Sequence, residues 1–162
     1  MCYNALDRMT DPALWLRIQG AMLPVQCDGR SFARQLSDVT GLDRAGAAVL
    51  EGEYRRFLYL AVLTPSPREP LGLIREAWDY HAGFEGYLHD FCPWILDRHL
   101  PGRPLSKLSA PAYAATWFDY GAEFGGPPPA PYWPAPDARM GLAEVGVLAT
   151  GGALSPHGEA VS

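Results

Sequence analysis

Two histidines and a glutamate near the middle of the chain have the spacing of one helix face. His81, Glu85 and His89 are four residues apart, and Cys92 follows three residues after His89. At about 100° per residue, the four side chains fall within an arc of ~80°. Imidazole and carboxylate groups one turn apart can share a proton or hold one ion. We therefore predict His81, Glu85 and His89 as catalytic groups, with a solvated or hydrogen-bonded helix face as the alternative.

A metal site formed by this face alone is not expected. His81 and Cys92 would be separated by about 16 Å along a helix, which is too far for both to bind one ion. Further ligands would have to come from other helices, where the candidates are Glu51, Glu53 and Asp119. The residues therefore predict a chain without a metal site and without a cofactor.

Aromatic side chains make up 12 % of the chain, and most of them fall in predicted helices. Most should form the core, but Tyr and Trp also carry polar atoms that need partners when buried. If the helices splay apart, some of these rings would line a pocket for a small organic molecule, with His81 and Glu85 at its rim. The predicted ligand-binding residues are Trp78, Tyr80, Trp117 and Tyr120.

The elements that must position these residues are predicted to be helices. Apolar residues recur at helical spacing, with Pro65 and Pro67 ending the third helix and Pro93 kinking or ending the fourth. The pattern predicts five helices, over about residues 12–23, 31–38, 42–63, 70–91 and 111–124. The apolar row of the fourth is Leu73, Ala77, Tyr80, Phe84 and Leu88. Trp78 lies beside this row, so we expect it to be buried against Phe57 of the third helix.

Beyond the fifth helix, prolines at 127, 128, 129, 131, 134 and 136 exclude a helix or a central strand. Tyr132 and Trp133 lie among them, and their apolar surface favours burial. We predict an extended strap over 125–136 that inserts these rings into the bundle, with a solvated polyproline arm as the alternative. Residues 138–162 predict a weakly ordered Gly-rich tail. The predicted fold class is all-α, as one compact domain over 1–137 with about five helices and a C-terminal Pro-rich strap.

Composition and charge exclude several classes of protein. The net charge of −5 argues against a nucleic-acid partner, which normally requires a basic surface. No apolar run approaches the roughly 18–20 residues of a membrane span, and we expect a cytoplasmic protein. The three cysteines are widely spaced and form no disulfide framework, so Cys27 and Cys92 are predicted to be buried thiols.

Several segments, taken in order, resemble one known family. They are 14–18 (LWLRI), 31–36 (SFARQL), 53–60 (EYRRFLYL), 78–81 (WDYH) and 132–134 (YWP), the last preceded by Phe124-Gly125 and a run of prolines. Together they cover about residues 12–134 and resemble the glycine-rich domain-containing protein-like family of bacteria and plants. The activity of that family is not generally established, so the resemblance implies no particular reaction.

The resemblance also bears on metal binding. The family carries a Trp-His-x-His element, then a Cys, then a His-His pair before a proline, which suggests a metal site. Here Asp79 stands at the first His position, His81 matches the second and Cys92 is retained. The positions of the His-His pair correspond to Pro101 and Gly102, neither of which has a ligating side chain. The resemblance thus implies a degenerate element without a metal.

Two functions of different classes remain open at the level of sequence. The first is a small-molecule-binding, biosynthetic protein that uses an aromatic-lined pocket with His81, Glu85 and His89 as polar or catalytic groups. The second is a noncatalytic interaction module that has lost the family metal site and docks a protein partner. A pocket that His81 reaches would favour the first function, and a flat exposed aromatic patch would favour the second.

Overall fold

The computed structural model describes residues 4–101 and 109–136, and in these residues the chain is helical and forms no strand. The described part contains five α-helices, numbered in chain order: α1 (Pro12–Gly20), α2 (Phe32–Thr40), α3 (Arg44–Leu63), α4 (Gly72–Ala82) and α5 (Ala110–Phe124). A short 3-10 helix (Ala5–Arg8) precedes α1, and a π-helix (Tyr87–Leu96) follows α4. The all-α prediction is confirmed. The predicted tail over 138–162 and the position of Gly102 lie outside the described residues.

Side-chain caps explain where most of the helices begin. The first unpaired N–H groups of a helix need acceptors, and a short polar side chain just before the helix supplies one. Asp11, for example, accepts a hydrogen bond from the Leu14 N–H at 2.9 Å. The side chains of Ser31, Asp43 and Ser109 cap α2, α3 and α5 in the same way. The start of α4 has no side-chain cap. Glycines with left-handed backbone, Gly41 and Gly125, end α2 and α5.

The central element is α3, which contacts α1, α2, α4, α5 and the π-helix. Its apolar residues surround it on several faces, because neighbours cover it on several sides. Phe57 and Trp78 are both buried, and their ring centroids lie 5.2 Å apart across the α3–α4 interface. The predicted packing of Trp78 against the third helix is confirmed. None of the helices in the described part is long and apolar enough to cross a membrane.

The prediction of one continuous fourth helix over 70–91 is wrong. The α-helical winding stops at Ala82, where Gly83 and Phe84 form a turn, and the chain then continues as the π-helix. Gly83 and Gly86 weaken α-helical winding here. Pro93 has no N–H for an α-helical ladder, yet the π-helix includes it and runs on to Leu96. Of the two predicted effects of Pro93, a kink or an end of the helix, the end is therefore wrong.

This break overturns the predicted common face. His81 and Cys92 are buried, whereas Glu85 and His89 are exposed, so the four residues do not share one surface of a helix. The predicted apolar row fails at the same place, because Leu88 is exposed while Tyr87 and Phe91 turn into the core. A change of winding shifts every later side chain to a different direction, and periodicity read through the break therefore assigns the wrong face.

The Pro-rich segment lies against the bundle, as predicted. Trp133 is 1 % exposed, and its indole Nε1–H donates to Glu53 Oε2 at 2.9 Å. The Tyr132 hydroxyl donates to the Gly46 carbonyl oxygen at 3.2 Å. Hydrogen bonds from the N–H groups of both aromatic residues to the Pro129 carbonyl oxygen form one turn within the strap. The strap thus lies against α3 at Gly46 and Glu53.

The two cysteines that the structure describes differ in their exposure to solvent. Cys92 lies in the π-helix and is buried, as predicted, and burial raises the pKa of its thiol. Cys27 is exposed in the turn between α1 and α2, so its predicted burial is wrong. The chain leaves the core after Leu23 and turns at Asp28 and Gly29, which carries Cys27 into solvent.

Candidate functional site

A groove of about 720 Å³ lies between the loop after α1 and the π-helix. One wall is the loop 22–25, and the other is formed by residues 84–95. Apolar side chains make up most of its surface; they include Met22, Val25, Phe84, Phe91, Trp94 and Ile95. Its polar side chains are His81, Glu85 and Asp90, while Tyr87 adds a ring. Its size falls within the range of small-molecule sites.

The loop wall is held in place by two polar side chains. Arg55 of α3 donates to the carbonyl oxygens of Ile18 (2.7 Å) and Ala21 (2.8 Å), where α1 ends. Gln35 of α2 donates to the Pro24 carbonyl oxygen at 2.8 Å. The carbonyls at a helix end have no intrahelical partners, so these bonds also fix the direction in which the loop leaves α1. The wall is therefore preformed.

The π-helix wall is tied to the bundle through Tyr87. The buried Trp78 Nε1–H donates to the Tyr87 hydroxyl at 2.8 Å, and that hydroxyl donates to the Leu100 carbonyl oxygen at 2.7 Å. At the far end of the wall, Arg17 Nε donates to the Ile95 carbonyl oxygen at 2.6 Å. These bonds connect α1, α4 and the π-helix. Both walls of the groove thus rest on fixed elements.

His81 lies at the floor of the groove among aromatic rings. It is 1 % exposed, and its ring centroid lies 4.7 Å from that of Phe91 and 4.8 Å from that of Tyr87. Burial, together with the positive charge of Arg55, lowers the pKa of the imidazole to about 4. His81 is therefore a neutral imidazole at neutral pH.

The hydrogen bond to Tyr54 fixes which nitrogen of His81 carries the proton. Tyr54 Oη lies 2.9 Å from His81 Nδ1, and within the described residues this is the only hydrogen bond of either side chain. Tyr54 is fully buried, so its hydroxyl hydrogen needs an acceptor, and Nδ1 is the one available. Tyr54 therefore donates, Nδ1 accepts, and the proton of His81 is on Nε2. The imidazole has an N–H donor left for a molecule in the groove.

Glu85 and Asp90 lie at the mouth of the groove and are both exposed. Neither carboxylate forms an ion pair within residues 4–101 and 109–136. His89, the third predicted catalytic residue, is exposed and does not line the groove. The structure thus brings His81 and Glu85 to one site and leaves His89 outside it.

The four predicted ligand-binding aromatics do not surround His81. Trp78 lies behind Tyr87, and the Tyr80 hydroxyl donates to Gln35 Oε1 at 2.8 Å, which positions the amide that holds the loop wall. Tyr120 and Trp117 belong to α5, on another side of α3. Trp117 lines a separate cavity of about 470 Å³ with Arg8 and Phe118. Two of the predicted residues therefore support the groove from behind, and two lie away from it.

The candidate metal-ligating carboxylates of the other helices already have partners within the protein. Glu51 pairs with Arg55 at 3.0 Å, and Asp119 pairs with Arg68 at 2.6 Å. Glu53 is buried and accepts hydrogen bonds from Arg56, Tyr120 and Trp133. Within the described residues, no three His, Cys, Asp or Glu side chains come together as a metal site.

Sequence reasoning missed the residues that form most of the groove walls. Met22, Val25 and Trp94 are all exposed, at 87 %, 55 % and 77 % respectively. Large apolar side chains left in solvent are the signal that identifies such a surface. In the sequence this signal is absent, because Met22 and Val25 lie outside the helical pattern and Trp94 follows a proline that was expected to end the helix.

Comparison with known proteins finds no matching family model, no matching curated protein and no matching solved structure. The resemblance to the glycine-rich domain-containing protein-like family therefore stays a prediction. The chemistry of the groove is therefore inferred from the residues that line it. These are mainly apolar, with one buried N–H donor, on His81, and two carboxylates, of Glu85 and Asp90.

Proposed function

We propose that the protein binds a small, mainly apolar organic molecule in the groove between the loop 22–25 and the π-helix. The observation that carries this proposal is the combination of a preformed apolar groove with the buried imidazole of His81 at its floor. Small-molecule sites typically have this composition, with few polar groups that orient the ligand within apolar walls. A biosynthetic setting fits a protein that holds such a molecule.

The arrangement favours binding over proton transfer. A general base works best when its pKa is near the working pH, and the pKa of His81 is lowered to about 4. His81 is therefore a weak base at neutral pH, while its Nε2–H remains a good hydrogen-bond donor. In this proposal His81 orients the ligand through its Nε2–H, and the Glu85 carboxylate contacts the ligand at the mouth of the groove. His89 has no role in binding.

The proposal is tested with a neutral fluorescent probe, N-phenyl-1-naphthylamine, titrated into the full chain. Trp94→Ala removes an exposed ring from the groove wall, and we expect about tenfold weaker binding of the probe. Phe118→Ala is the matched control, because Phe118 is an exposed aromatic residue of α5 that does not line the groove. Absence of probe binding, or equal affinities of the two variants, would overturn the proposal.

A second candidate function is docking of a protein partner. Met22 and Trp94 project from the two walls, and exposed apolar side chains around a groove are also typical of protein interfaces. A partner would place one apolar side chain in the groove and cover both residues. This function predicts a protein partner whose binding is lost in Trp94→Ala. It also predicts that N-phenyl-1-naphthylamine has no measurable affinity for the free chain, whereas the first function requires that the probe binds.

We also propose that the protein acts in the cytoplasm without a nucleic-acid partner. The net charge of −5 and the free thiols Cys27 and Cys92 support both parts. Cell fractionation tests the compartment, and a mobility-shift assay with DNA and RNA tests the partner.

A further inference from the structure

We infer that the molecule bound in the groove is a lipophilic amine, whose apolar body lies against the walls and whose ammonium group lies at the mouth beside Glu85 and Asp90. This inference rests on the proposed function and adds the chemical class of the ligand. It is carried by three features of the groove, which are its charge, its aromatic residues and the donor at its floor.

The charge at the mouth is negative, and no ion pair with an Arg, Lys or His of residues 4–101 and 109–136 neutralises it. Glu85 and Asp90 line the groove, and neither is paired within the part of the chain that the structure describes. Carboxylates elsewhere on the helices do have an Arg partner in several cases, as in the pairs Glu51–Arg55 and Asp79–Arg75. Two carboxylates at one mouth repel anions and attract cations, most strongly at low ionic strength.

The two arginines that hold the groove walls do not cancel this charge. Arg17 donates to the Ile95 carbonyl oxygen, and Arg55 to the end of α1 and to Glu51. Neither arginine is among the residues that line the groove. His81 lies in the groove but is neutral, so it does not repel an ammonium group. Among the described residues that line the groove, a cation therefore meets two negative charges and no positive one.

The aromatic residues suit the same ligand. Phe84 and Trp94 line the groove, and Trp94 is largely exposed. An ammonium group over the face of an indole or phenyl ring is attracted by the ring quadrupole, which adds to its attraction to the carboxylates. Deeper in the groove the surroundings become apolar, with Phe91 and Ile95, and the Nε2–H of His81 can donate to an oxygen on the ligand body.

The test compares three ligands that share one ring system and differ in charge, by calorimetric titration of the full chain. These ligands are 1-naphthylmethylamine, 1-naphthylmethanol and 1-naphthoic acid. We expect the amine to bind about tenfold more tightly than the alcohol, and the acid to bind most weakly. If the alcohol binds as tightly as the amine, the inference fails while the proposed function stands. If none of the three binds, the proposed function fails.

Variants locate the effect. Glu85→Gln with Asp90→Asn removes both negative charges from the mouth, and we expect the amine to lose its advantage while the affinity for the alcohol stays unchanged. Glu76→Gln is the matched control, since Glu76 is an exposed carboxylate of α4 outside the groove. An amine preference that survives the double substitution would overturn the assignment to these residues.

Salt gives a second measurement that needs no variant. Raising the salt concentration from about 20 mM to about 500 mM should weaken binding of the amine several-fold and leave binding of the alcohol unchanged. Equal salt dependence of the two ligands would contradict the inference. Thermal melts of each variant confirm that the compared proteins are folded.

Discussion

At the scale of single residues, the neutral state of His81 is the property most directly open to measurement. The imidazole is enclosed by Phe32, Tyr87 and Phe91, and its Nδ1 accepts from the buried Tyr54. Taking up a proton would place a charge among rings and would also abolish the acceptor of Tyr54. The fold therefore opposes protonation in two ways, through desolvation and through the loss of a hydrogen bond.

The first prediction is a loss of stability in mild acid. The pKa of His81 is lowered from 6.5 to about 4 in the fold, so between these values the unfolded chain binds a proton that the folded chain does not. This contribution is fully present above pH 6.5 and is lost as the pH falls toward about 4. We expect it to reduce the free energy of unfolding by up to about 3 kcal/mol, measured by urea denaturation across this range.

His81→Gln supplies the comparison, because glutamine cannot titrate. Its unfolding free energy should vary less with pH over the same interval, even if the variant is less stable throughout. An NMR titration of the wild-type imidazole is an independent readout that needs no variant. A His81 resonance that titrates near pH 6.5, or equal pH dependence in the two proteins, would contradict the prediction.

The second prediction concerns the indole N–H of Trp133. Trp133→Phe keeps most of the buried ring but removes the hydrogen bond to the Glu53 carboxylate. Hydrogen bonds to charged groups contribute about 1.5–3 kcal/mol, so we expect a loss of that size in urea denaturation. Trp117→Phe is the control, since the Trp117 Nε1 has no hydrogen-bond partner within the described residues and should lose almost nothing. Equal losses would show that the bond to Glu53 is not stabilising.

At the scale of the elements, the sequence was a good guide wherever a helix has local start and stop signals. The starts of α1, α2, α3 and α5 fall within two residues of the predictions, because Asp11, Ser31, Asp43 and Ser109 cap them. The segment 70–91, predicted as one helix, lacks a side-chain cap at its start and contains Gly83 and Gly86. There the winding is decided by packing against α3, which local patterns do not contain.

The site was harder to predict than the fold for a related reason. His81 and Glu85 were identified by residue type, and both line the groove. The walls, however, depend on the direction of a loop that Arg55 and Gln35 hold from other helices. They also depend on the π-helix, whose winding changes the faces of all later residues. Neither property follows from spacing along the chain.

The third prediction tests the α3–α4 interface. Phe57→Ala removes a fully buried ring that packs on Trp78 at 5.2 Å, and such substitutions typically cost about 3–5 kcal/mol. Val49→Ala, on an exposed position of the same helix, should cost less than about 0.5 kcal/mol. Chemical denaturation of both variants gives the comparison. A loss below about 1 kcal/mol for Phe57→Ala would exclude tight packing of the two helices.

The fourth prediction tests how the groove wall is held. Arg55→Lys keeps the charge, but the compact ammonium group cannot reproduce the planar fork that donates to the Ile18 and Ala21 carbonyls and to Glu51. We expect several-fold weaker binding of N-phenyl-1-naphthylamine together with a loss of about 1.5–3 kcal/mol in stability. Arg44→Lys, at an exposed position of α3, should change neither quantity. Unchanged probe binding in Arg55→Lys would mean that the wall does not depend on this side chain.

At the scale of the whole molecule, the arginines and carboxylates of the core are used to join helices. Arg56 contacts Glu53 and the Tyr120 hydroxyl, which connects α3 with α5. Glu123 of α5 accepts from the Tyr59 hydroxyl at 2.8 Å and from the Thr10 N–H at 2.9 Å. These polar side chains of the interior thus satisfy one another, and together they join two parts of the bundle, α3 and α5.

The fifth prediction is that the chain folds without a stoichiometric metal ion. The carboxylates Glu51, Glu53 and Asp119 are engaged by arginines or by the strap, and His81 is surrounded by rings. Elemental analysis of protein purified without a metal-binding tag should find no bound transition metal, and chelators should leave the melting temperature unchanged. One tightly held ion per chain that is lost on His81→Ala would contradict this.

The docking of the strap has a consequence for the order in which the chain folds. Glu53 and Trp133 are 80 residues apart, and Tyr132 and Gly46 are 86 residues apart. During synthesis α1, α2 and α3 leave the ribosome long before the strap does, and closing so long a loop is slow. Until then the Glu53 carboxylate lacks its indole donor and part of α3 stays uncovered. We therefore expect the nascent chain to pass through a partly folded state that is completed only when residue 133 has emerged.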